Sequence, residues 1–240
     1  MSTTGTSSSI SAVPRGTKAT SGVAAFYDLD GTLCSTNVVH GYGFFARNAP
    51  TIAKKVFRTG SIVAAIPFFM AADLYSRKLF NEVFYRRYKG ESEDRLTLLA
   101  EDLFSEVVLP SIFPQAKALI EQSKRAGHRQ VLVTGALDIL AEPVARYLGI
   151  DDVISNELEY VNGYATGELK GTLIAGAAKA ARMRRFAAEN GYELDRCYAY
   201  SDSMSDYPML AVVGRPAVVN PDRRLKRIAR EYDWPILHFS

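Results

Sequence analysis

The sequence has little of what several classes of protein require. It contains only two cysteines, Cys34 and Cys197, which lie far apart and belong to no CxxC or Cys/His cluster. This argues against a disulfide framework and a zinc site, and it favours a reducing, cytoplasmic compartment. Long hydrophobic runs are also lacking. A membrane-spanning helix needs about 18 apolar residues, whereas the longest run, 62–72, is shorter and contains Pro67. We therefore expect a soluble protein.

An excess of charge of one sign is absent as well. The 240 residues carry 29 basic and 26 acidic side chains, a formal net charge of +3, and the segment 221–231 accounts for the whole excess. A balance this even argues against nucleic acid as a partner. With 48% hydrophobic and 23% charged residues, the composition is that of a globular protein, not of a collagen-like, coiled-coil or wholly disordered chain.

The first 21 residues differ from the rest in composition. Eleven of them are serine or threonine, and none is acidic. Such a segment buries too little apolar surface to offset the entropy of ordering it, so we predict a disordered tail over 1–21. The segment lacks the apolar core of a secretory signal, but its lack of acidic residues leaves an organelle-targeting segment as an alternative.

Short apolar runs and helical patterns then alternate along the chain. The runs end in polar residues and predict buried strands, while the helical patterns end at glycine or Asn-Gly. This alternation predicts an α/β fold with a Rossmann-like parallel sheet. Asn162-Gly163 predicts a hairpin turn between two further strands. The predicted strands are 23–27, 130–133, 157–161, 164–168 and 197–200, and the predicted helices are 115–126, 137–148 and 177–189.

Residues 38–110 interrupt the alternation. They show several helical patterns, no clear strand and a high content of aromatic residues. We predict that they form a helical cap inserted into a core domain made of 22–37 and 111–240. Packing inside the cap accounts for most of these aromatics.

Acidic residues follow two of the predicted strands. Asp28 and Asp30 are two residues apart, so in extended geometry their carboxylates point to the same side. Asp202 and Asp206 are four apart and would share one face of a helix that starts there. In parallel sheets, ligands bind at the carboxyl ends of strands. Because neighbouring carboxylates repel each other unless a cation is shared, Mg²⁺ is the expected companion.

Four segments, in this order, closely resemble the four motifs of the haloacid dehalogenase (HAD) superfamily. The position of the predicted cap, between the first and second motifs, resembles the phosphoserine phosphatase-like branch, subfamily IB, with a cap of the C1 type. Segments 198–210 and 218–222 are similar to uncharacterised hydrolases of that subfamily, some of whose relatives are fused to phospholipid acyltransferases. The motif segments are Asp-Leu-Asp-Gly-Thr-Leu at 28–33, Leu-Val-Thr-Gly at 132–135, Gly-Ala-Ala-Lys at 176–179 and Ser-Asp-Ser-Met-Ser-Asp at 201–206.

The resemblance implies a role for each motif residue. Asp28 would be the nucleophile and a Mg²⁺ ligand. Asp30 would be the general acid and base, and its main-chain carbonyl would also bind the metal. Asp202 would complete the metal ligands, with Asp206 in a supporting role.

The other two motifs would bind the phosphoryl group of the substrate. The resemblance implies that Thr134 and Gly135 hold its oxygens and that Lys179 neutralises charge on it and on Asp28. Lys170 is the alternative lysine, although the position of Lys179 just after Gly176 favours the latter.

These roles predict a Mg²⁺-dependent phosphatase that hydrolyses a small phosphomonoester through an aspartyl-phosphate. Two alternatives stay open: transfer of the phosphoryl group to an alcohol, and an inactive module that binds a membrane or an acyltransferase. The acidic residue that recognises the substrate amine in phosphoserine phosphatases aligns with Asn37, and Ser205 replaces an asparagine of the last motif, so phosphoserine is disfavoured.

The predicted cap offers further clues to the substrate. The apolar and basic segment 54–70 could admit an apolar or lipid-like phosphate or touch a membrane surface, although burial in the cap is the favoured interpretation. Arg86 and Arg87 could meet a substrate carboxylate or a second phosphate, but exposed helix charges are the favoured interpretation. The pattern predicts no oligomeric state.

Overall fold

A computed structural model describes residues 22–36, 38–48 and 84–240, together with Ile52 and Gly60. The predictions made for the tail 1–21, for Asn37 and for most of the segment 54–70 lie outside the described residues. Along the described residues we find no helix with the length and apolar character needed to cross a membrane.

Within the described residues, the centre of the fold is a six-stranded sheet whose paired strands all run parallel. Its order is β3-β2-β1-β6-β7-β8. A separate antiparallel hairpin pairs β4 with β5. The strands are β1 (Ala24–Tyr27), β2 (Arg129–Leu137), β3 (Asp152–Asn156), β4 (Leu158–Val161), β5 (Tyr164–Leu169), β6 (Tyr198–Ser201), β7 (Arg215–Val219) and β8 (Ile236–Leu237). The predicted α/β class is confirmed.

Helices connect the strands. Those predicted in the core domain are confirmed to within one residue at each end, because glycine ends them as expected: Gly149 and Gly191 adopt φ values of 65° and 73°, where a side chain would be strained. The helices are α1 (Val38–Arg47), α2 (Glu93–Leu103), α3 (Pro114–Arg125), α4 (Asp138–Leu148), α5 (Ala177–Asn190), α6 (Tyr207–Leu210) and α7 (Arg223–Glu231).

The sheet is buried on both faces, as the apolar runs predict. Along β1, Ala25 and Tyr27 belong to one hydrophobic cluster, and Ala24 and Phe26 belong to the other. This alternation is the ordinary consequence of strand geometry. Helices must cover both faces of such a strand, and its carboxyl end is left as the place where polar groups can gather.

The hairpin forms where the Asn-Gly signal places it. Asn162 and Gly163 have φ values of 52° and 78°, as a two-residue turn between antiparallel strands requires. The turn packs on α2, since the Glu93 N–H donates to the Gly163 carbonyl at 2.9 Å. The hairpin therefore contacts the segment predicted as the cap.

The described part of 38–110 is helical. It consists of α1, a 3₁₀ turn at Arg86–Tyr88, α2 and a π-helical turn at Phe104–Val108, which a second 3₁₀ turn, Leu109–Ser111, follows. Most of its aromatics pack against one another, as expected: Tyr42, for example, contacts the rings of Phe84 and Tyr88 at centroid distances of 5.5 and 5.1 Å. The division into cap and core stays a prediction.

One strand differs from its prediction. The run 130–133 predicts a strand that ends at Val133, but β2 continues to Leu137. Its pairing with β3 shifts register between Val133 and Leu137. Thr134 and Gly135 therefore lie in an irregular stretch inside the strand, where a bulge can redirect backbone groups.

Candidate active site

The predicted acidic residues gather where the order of the sheet reverses. The chain adds β2 and β3 on one side of β1 and then β6, β7 and β8 on the other. Asp28 follows β1, and Asp202 follows the adjacent β6. The Asp28 N–H donates to the Tyr200 carbonyl at 3.0 Å, so the loop after β1 stays attached to β6. Such a switch point is the usual place for a ligand in an open parallel sheet.

A buried ion network lies at this point. The Lys179 Nζ donates to Asp28 Oδ1 at 2.6 Å and to Asp206 Oδ2 at 2.7 Å. The Ser201 hydroxyl also donates to Asp206 Oδ2, at 2.9 Å. Asp28, Lys179 and Asp206 are 5%, 4% and 3% exposed. Helix α5 thus places its lysine between two carboxylates that come from two different strand ends.

Burial and charge act in opposite directions within this network. Burial raises the pKa of Asp28, the Lys179 ammonium lowers it, and Asp206 raises it again, with a net upward shift. Burial lowers the pKa of Lys179, but Asp206 and Asp28 together raise it further, above its ordinary value. Lys179 therefore stays charged at neutral pH.

Thr32 connects this network to Asp202. Its hydroxyl is 3.4 Å from Asp28 Oδ2 and 3.3 Å from Asp202 Oδ1. The Asp202 carboxylate lies directly against Gly31, where a Cβ would come within 2.3 Å of Asp202 Oδ2. Gly31 also adopts a φ of 82°. Only glycine lets the loop after β1 approach this carboxylate so closely. The sequence signal for Gly31 and Thr32 is their place in the first motif, 28–33.

Asp202 and Asp206 do not share a helix face, contrary to the prediction. Strand β6 ends at Ser201, and the next 3₁₀ turn begins only at Met204 because the Ser203 side chain accepts a hydrogen bond from the Ser205 N–H. Asp202 therefore lies outside the turn and approaches Thr32, whereas Asp206 lies inside it and contacts Lys179. The two carboxylates serve different parts of the site.

The donor chemistry fits a hard cation. Asp28, Asp206 and Asp202 bring three carboxylates to the site against the single ammonium of Lys179, so a divalent cation would offset the remaining charge. Among the described residues, no three His, Cys, Asp or Glu side chains come together as a metal cluster. A cation here would thus be held by Asp28 and Asp202 together with backbone and water oxygens, an arrangement that suits Mg²⁺.

The second motif is held by partners that the sequence did not reveal. The Thr134 hydroxyl oxygen accepts a hydrogen bond from the Ala136 N–H at 3.0 Å. The Gly135 carbonyl accepts from the Asn156 amide at 2.8 Å and from the Tyr85 hydroxyl. Asn156 and Tyr85 were not predicted as site residues. No local signal marks them. Asn156 is an isolated polar residue at a strand end, and Tyr85 is one of several aromatics in its segment.

Asp30 faces a different environment from Asp28. It lines a small cavity. The other described residues around this cavity are mainly apolar and include Leu29, Val107, Val108, Ala136 and Leu140. Burial, followed by the charge of Asp30, raises the pKa of the Cys34 thiol to about 12 and raises that of Tyr85. Cys34 therefore stays protonated and unreactive. Asp30 therefore borders a small cavity that is mainly apolar.

The two lysines considered for the third motif lie in different surroundings. Lys179 is buried in the ion network, whereas the Lys170 side chain is 70% exposed and pairs at the surface with Glu157 at 3.1 Å. Arg86 is likewise at the surface, 3.8 Å from Glu168. This matches the interpretation of Arg86 as an exposed helix charge.

The basic C-terminal helix is anchored beside the site. Asp222 caps α7 by accepting from the Arg224 and Leu225 N–H groups, both at 2.8 Å. Its second carboxylate oxygen accepts from the Met204 N–H at 2.6 Å, and its own N–H donates to the Asp202 carbonyl at 2.8 Å. Asp222 therefore fixes the loop that carries Asp202 and Asp206.

Another half-buried carboxylate, Asp138, begins α4 three residues after Gly135. Its pKa is raised to about 6: burial raises it most, the hydrogen bond from the Ile139 N–H lowers it, and the charges of Glu157 and Glu142 raise it. Because this pKa lies above the ordinary value of 3.8, folding is disfavoured by ionisation of Asp138. That cost is absent below about pH 4, grows between about pH 4 and 6, and is complete above that range.

We expect Asp138→Asn to stabilise the protein at pH 8 by about 1 kcal/mol and to change little at pH 4. Urea unfolding at pH 4, 5, 6, 7 and 8 measures the difference from the wild type. Asp195→Asn, a change at an exposed aspartate, is the matched control and should give a flat difference. A stabilisation that does not change with pH would contradict the prediction.

Comparison with known proteins places these features in context. The sequence model for haloacid dehalogenase-like hydrolases matches residues 25–211. A phosphoserine phosphatase of Mycobacterium tuberculosis is 35% identical over 224 residues, which cover 90% of this chain and 70% of the relative. A histidinol-phosphatase of Neisseria meningitidis is 27% identical over 238 residues, 90% of this chain and 98% of the relative.

A solved structure has the same fold. It is described as a phospho-aspartyl intermediate analogue of phosphoserine phosphatase, and its TM-score to this chain is 0.65 at 18% identity. The similarity covers 90% of this chain and 92% of that one. The core sheet and the helices around it are thus shared with an enzyme of known structure.

Proposed function

This chain belongs to the haloacid dehalogenase-like hydrolase family, and from that premise we propose that it is a Mg²⁺-dependent phosphomonoesterase in which Asp28 forms an aspartyl-phosphate. Its class, a hydrolase of the phosphatase kind, follows from the family and its relatives. The observation that carries the finer proposal is the contact of Lys179 Nζ with Asp28 Oδ1 at 2.6 Å, because it joins a buried carboxylate to a cation that an anionic substrate also needs.

Asp28 is the nucleophile in this proposal. A carboxylate oxygen attacks phosphorus in line, the bond to the ester oxygen breaks, and the phosphoryl group is left on Asp28. Lys179 occupies one Asp28 oxygen and keeps its charge, so it lowers the repulsion between an anionic nucleophile and an anionic ester. Asp206 and Ser201 hold this lysine in place.

Thr134 and Gly135 bind the phosphoryl oxygens. The Thr134 oxygen already accepts a hydrogen bond from Ala136, so its own proton remains for donation to a phosphoryl oxygen. The Gly135 N–H is a second donor in the same irregular stretch of β2. Fixed donors of this kind stabilise the charge that develops on the oxygens in the transition state.

Asp30 acts as the general acid and then as the general base. It gives a proton to the departing alkoxide, and as a carboxylate it removes a proton from the water that hydrolyses the phosphoryl-Asp28 bond. Free phosphate leaves and both aspartates return to their starting states.

Mg²⁺ would be held by Asp28, Asp202 and the main-chain carbonyl of Asp30, and when bound it supplies charge neutralisation for the substrate phosphate. Two residues of the first motif hold the carboxylates of this position close together. Thr32 bridges the two carboxylates, and Gly31 gives Asp202 the space it occupies.

We propose a substrate with a small apolar leaving group. The support is the wall of Leu29, Val107, Val108, Ala136 and Leu140 around the cavity at Asp30. The names of the two relatives mention two different substrates, phosphoserine and histidinol phosphate, so similarity does not select between them.

The test is release of phosphate from 4-nitrophenyl phosphate. We expect turnover with Mg²⁺, a fall of at least about a hundredfold after removal of divalent cations with a chelator, and recovery when Mg²⁺ is added back. Asp202→Asn should require a higher Mg²⁺ concentration for half-maximal rate, while the exposed Asp195→Asn should not. An unchanged rate in the chelator would refute the metal requirement.

A panel of phosphate esters tests the proposed substrate. Equal or better turnover of small polar esters than of apolar esters would contradict the apolar leaving group. An added alcohol that captures the phosphoryl group would favour transfer over hydrolysis. Binding to anionic vesicles without turnover of any ester would favour the inactive membrane module.

A further inference from the structure

One buried side chain outside the predicted site connects two of its parts. Asn156, at the end of β3, is 3% exposed. Its Nδ2 donates to the Gly135 carbonyl at 2.8 Å. Its Oδ1 accepts from the Ile174 N–H at 2.8 Å, and Nδ2 also lies 3.4 Å from the Ile174 carbonyl. These three contacts are all with backbone groups.

The two backbone segments carry different phosphate-binding groups. Gly135 follows Thr134 in the irregular stretch of β2. Ile174 leads through Gly176 into α5, whose first turn carries Lys179. A single amide side chain thus fixes the spacing between the hydrogen-bond donors of the second motif and the cation of the third. A shift at either segment would change the distance between the two groups that must grip one phosphoryl group.

The peptide group between Gly135 and Ala136 is held at both ends. Its carbonyl accepts from Asn156 and from the Tyr85 hydroxyl, and its N–H donates to Thr134 Oγ1 at 3.0 Å. The orientation of this peptide therefore decides which way the Thr134 hydroxyl donates its proton. Tyr85 is buried and comes from the helical segment before α2, so that segment also supports the phosphate-binding stretch.

We propose that Asn156 is a positioning residue for phosphate binding, with Tyr85 as its second support. This inference rests on the proposed function, since it assigns Thr134, Gly135 and Lys179 to the substrate phosphate. Asn156 sets the orientation of the Gly135–Ala136 peptide and its distance from α5. It does not touch Asp28 or Asp202 through any of these bonds, so it acts on the phosphate and not on the metal.

Asn156→Ala should weaken the binding of inorganic phosphate by about 10- to 100-fold, because a buried hydrogen-bonded pair is broken on both segments. Asn156→Asp should do at least as much harm, since it places a carboxylate oxygen against the Gly135 carbonyl. Tyr85→Phe removes one donor and should weaken phosphate binding by about fivefold.

Two matched variants serve as controls. Asn190→Ala removes a bond of the same kind, from Nδ2 to the Phe186 carbonyl at 2.9 Å, at the exposed end of α5. Tyr164→Phe removes a hydroxyl from an exposed tyrosine of the hairpin. Both should bind phosphate as the wild type does.

Calorimetry measures the affinity for inorganic phosphate at saturating Mg²⁺ and, separately, the affinity for Mg²⁺ alone. The expected result is weaker phosphate binding with unchanged Mg²⁺ binding in the Asn156 and Tyr85 variants. Wild-type phosphate affinity in Asn156→Ala would overturn the inference. So would an equal loss of both affinities, because that is what general disruption of the fold produces.

Tyr85→Phe keeps the test decisive if Asn156→Ala does not fold. Phosphate affinity equal to that of the wild type would then overturn the inference. If Asn156→Ala does fold, the double variant should weaken binding by less than the product of the single effects, because both donors act on one carbonyl. A wild-type protein that neither binds phosphate nor hydrolyses the aryl ester would refute the proposed function itself. If only the role of Asn156 is wrong, the wild-type protein still hydrolyses the ester and the Asn156 and Tyr85 variants bind phosphate as the wild type does.

Discussion

Asp28→Asn is expected to abolish phosphate release from 4-nitrophenyl phosphate, with a fall of at least about 10⁴-fold. The amide keeps the shape of the carboxylate but is a far weaker nucleophile, so the phosphoryl group cannot transfer to the chain. Because Lys179 retains its contact with Asp206, the variant should still fold. Rates measured with saturating Mg²⁺ test the expectation.

Labelling separates the role of Asp28 as a nucleophile from a role in binding alone. After an acid quench, wild-type protein incubated with radiolabelled ester should carry label on Asp28, and the variant should carry none. The exposed Asp195→Asn serves as the control with normal rate and normal labelling. Substantial turnover in Asp28→Asn would exclude the aspartyl-phosphate mechanism.

Lys179→Met is expected to impair both folding and turnover. It leaves Asp28 and Asp206 without the cation that each contacts at 2.6–2.7 Å. Removing one partner of a buried ion pair costs about 3–5 kcal/mol of unfolding free energy. Loss of a charge that stabilises the transition state should lower the rate by a further factor of about 10²–10³. Urea unfolding and the rate per folded molecule measure the two effects separately.

Lys170→Met provides the matched comparison. Its ammonium pairs with Glu157 at the surface, where both side chains are more than half exposed, and such pairs contribute about 0–1 kcal/mol. We expect normal turnover and nearly normal stability from this variant. The reverse pattern, with Lys170 needed and Lys179 dispensable, would show that Lys179 is not the lysine of the third motif.

The sequence was most informative where chemistry and topology coincide. Apolar runs that end in polar residues predicted β1 and β6, and parallel pairing brings Asp28 and Asp202 to one edge of the sheet. The place of Lys179 after a helix-starting glycine was also readable. Each of these signals depends on a few neighbouring residues, so it can be recognised from the local sequence pattern alone.

The remaining parts of the site depend on contacts that no local pattern encodes. Asn156 lies outside every predicted strand, and its contacts form only when the fold places Gly135 and Ile174 beside it. Tyr85 is one of many aromatics, and only its hydroxyl contact with Gly135 distinguishes it from those that pack the helical segment. The separation of Asp202 from Asp206 depends on the Ser203 side-chain bond and on the bonds that Asp222 makes to the same loop, which the four-residue spacing did not reveal.

The ion network also has a consequence for how the protein acquires activity during folding. The Lys179 contact with Asp28 joins residues 151 positions apart, and the Thr32 contact with Asp202 spans 170 positions. Closing such long loops is slow, because chain entropy is lost before the contacts form. A nascent chain has no site until residue 206 has emerged and β6 has paired with β1. Completion of the site is therefore a late event in folding.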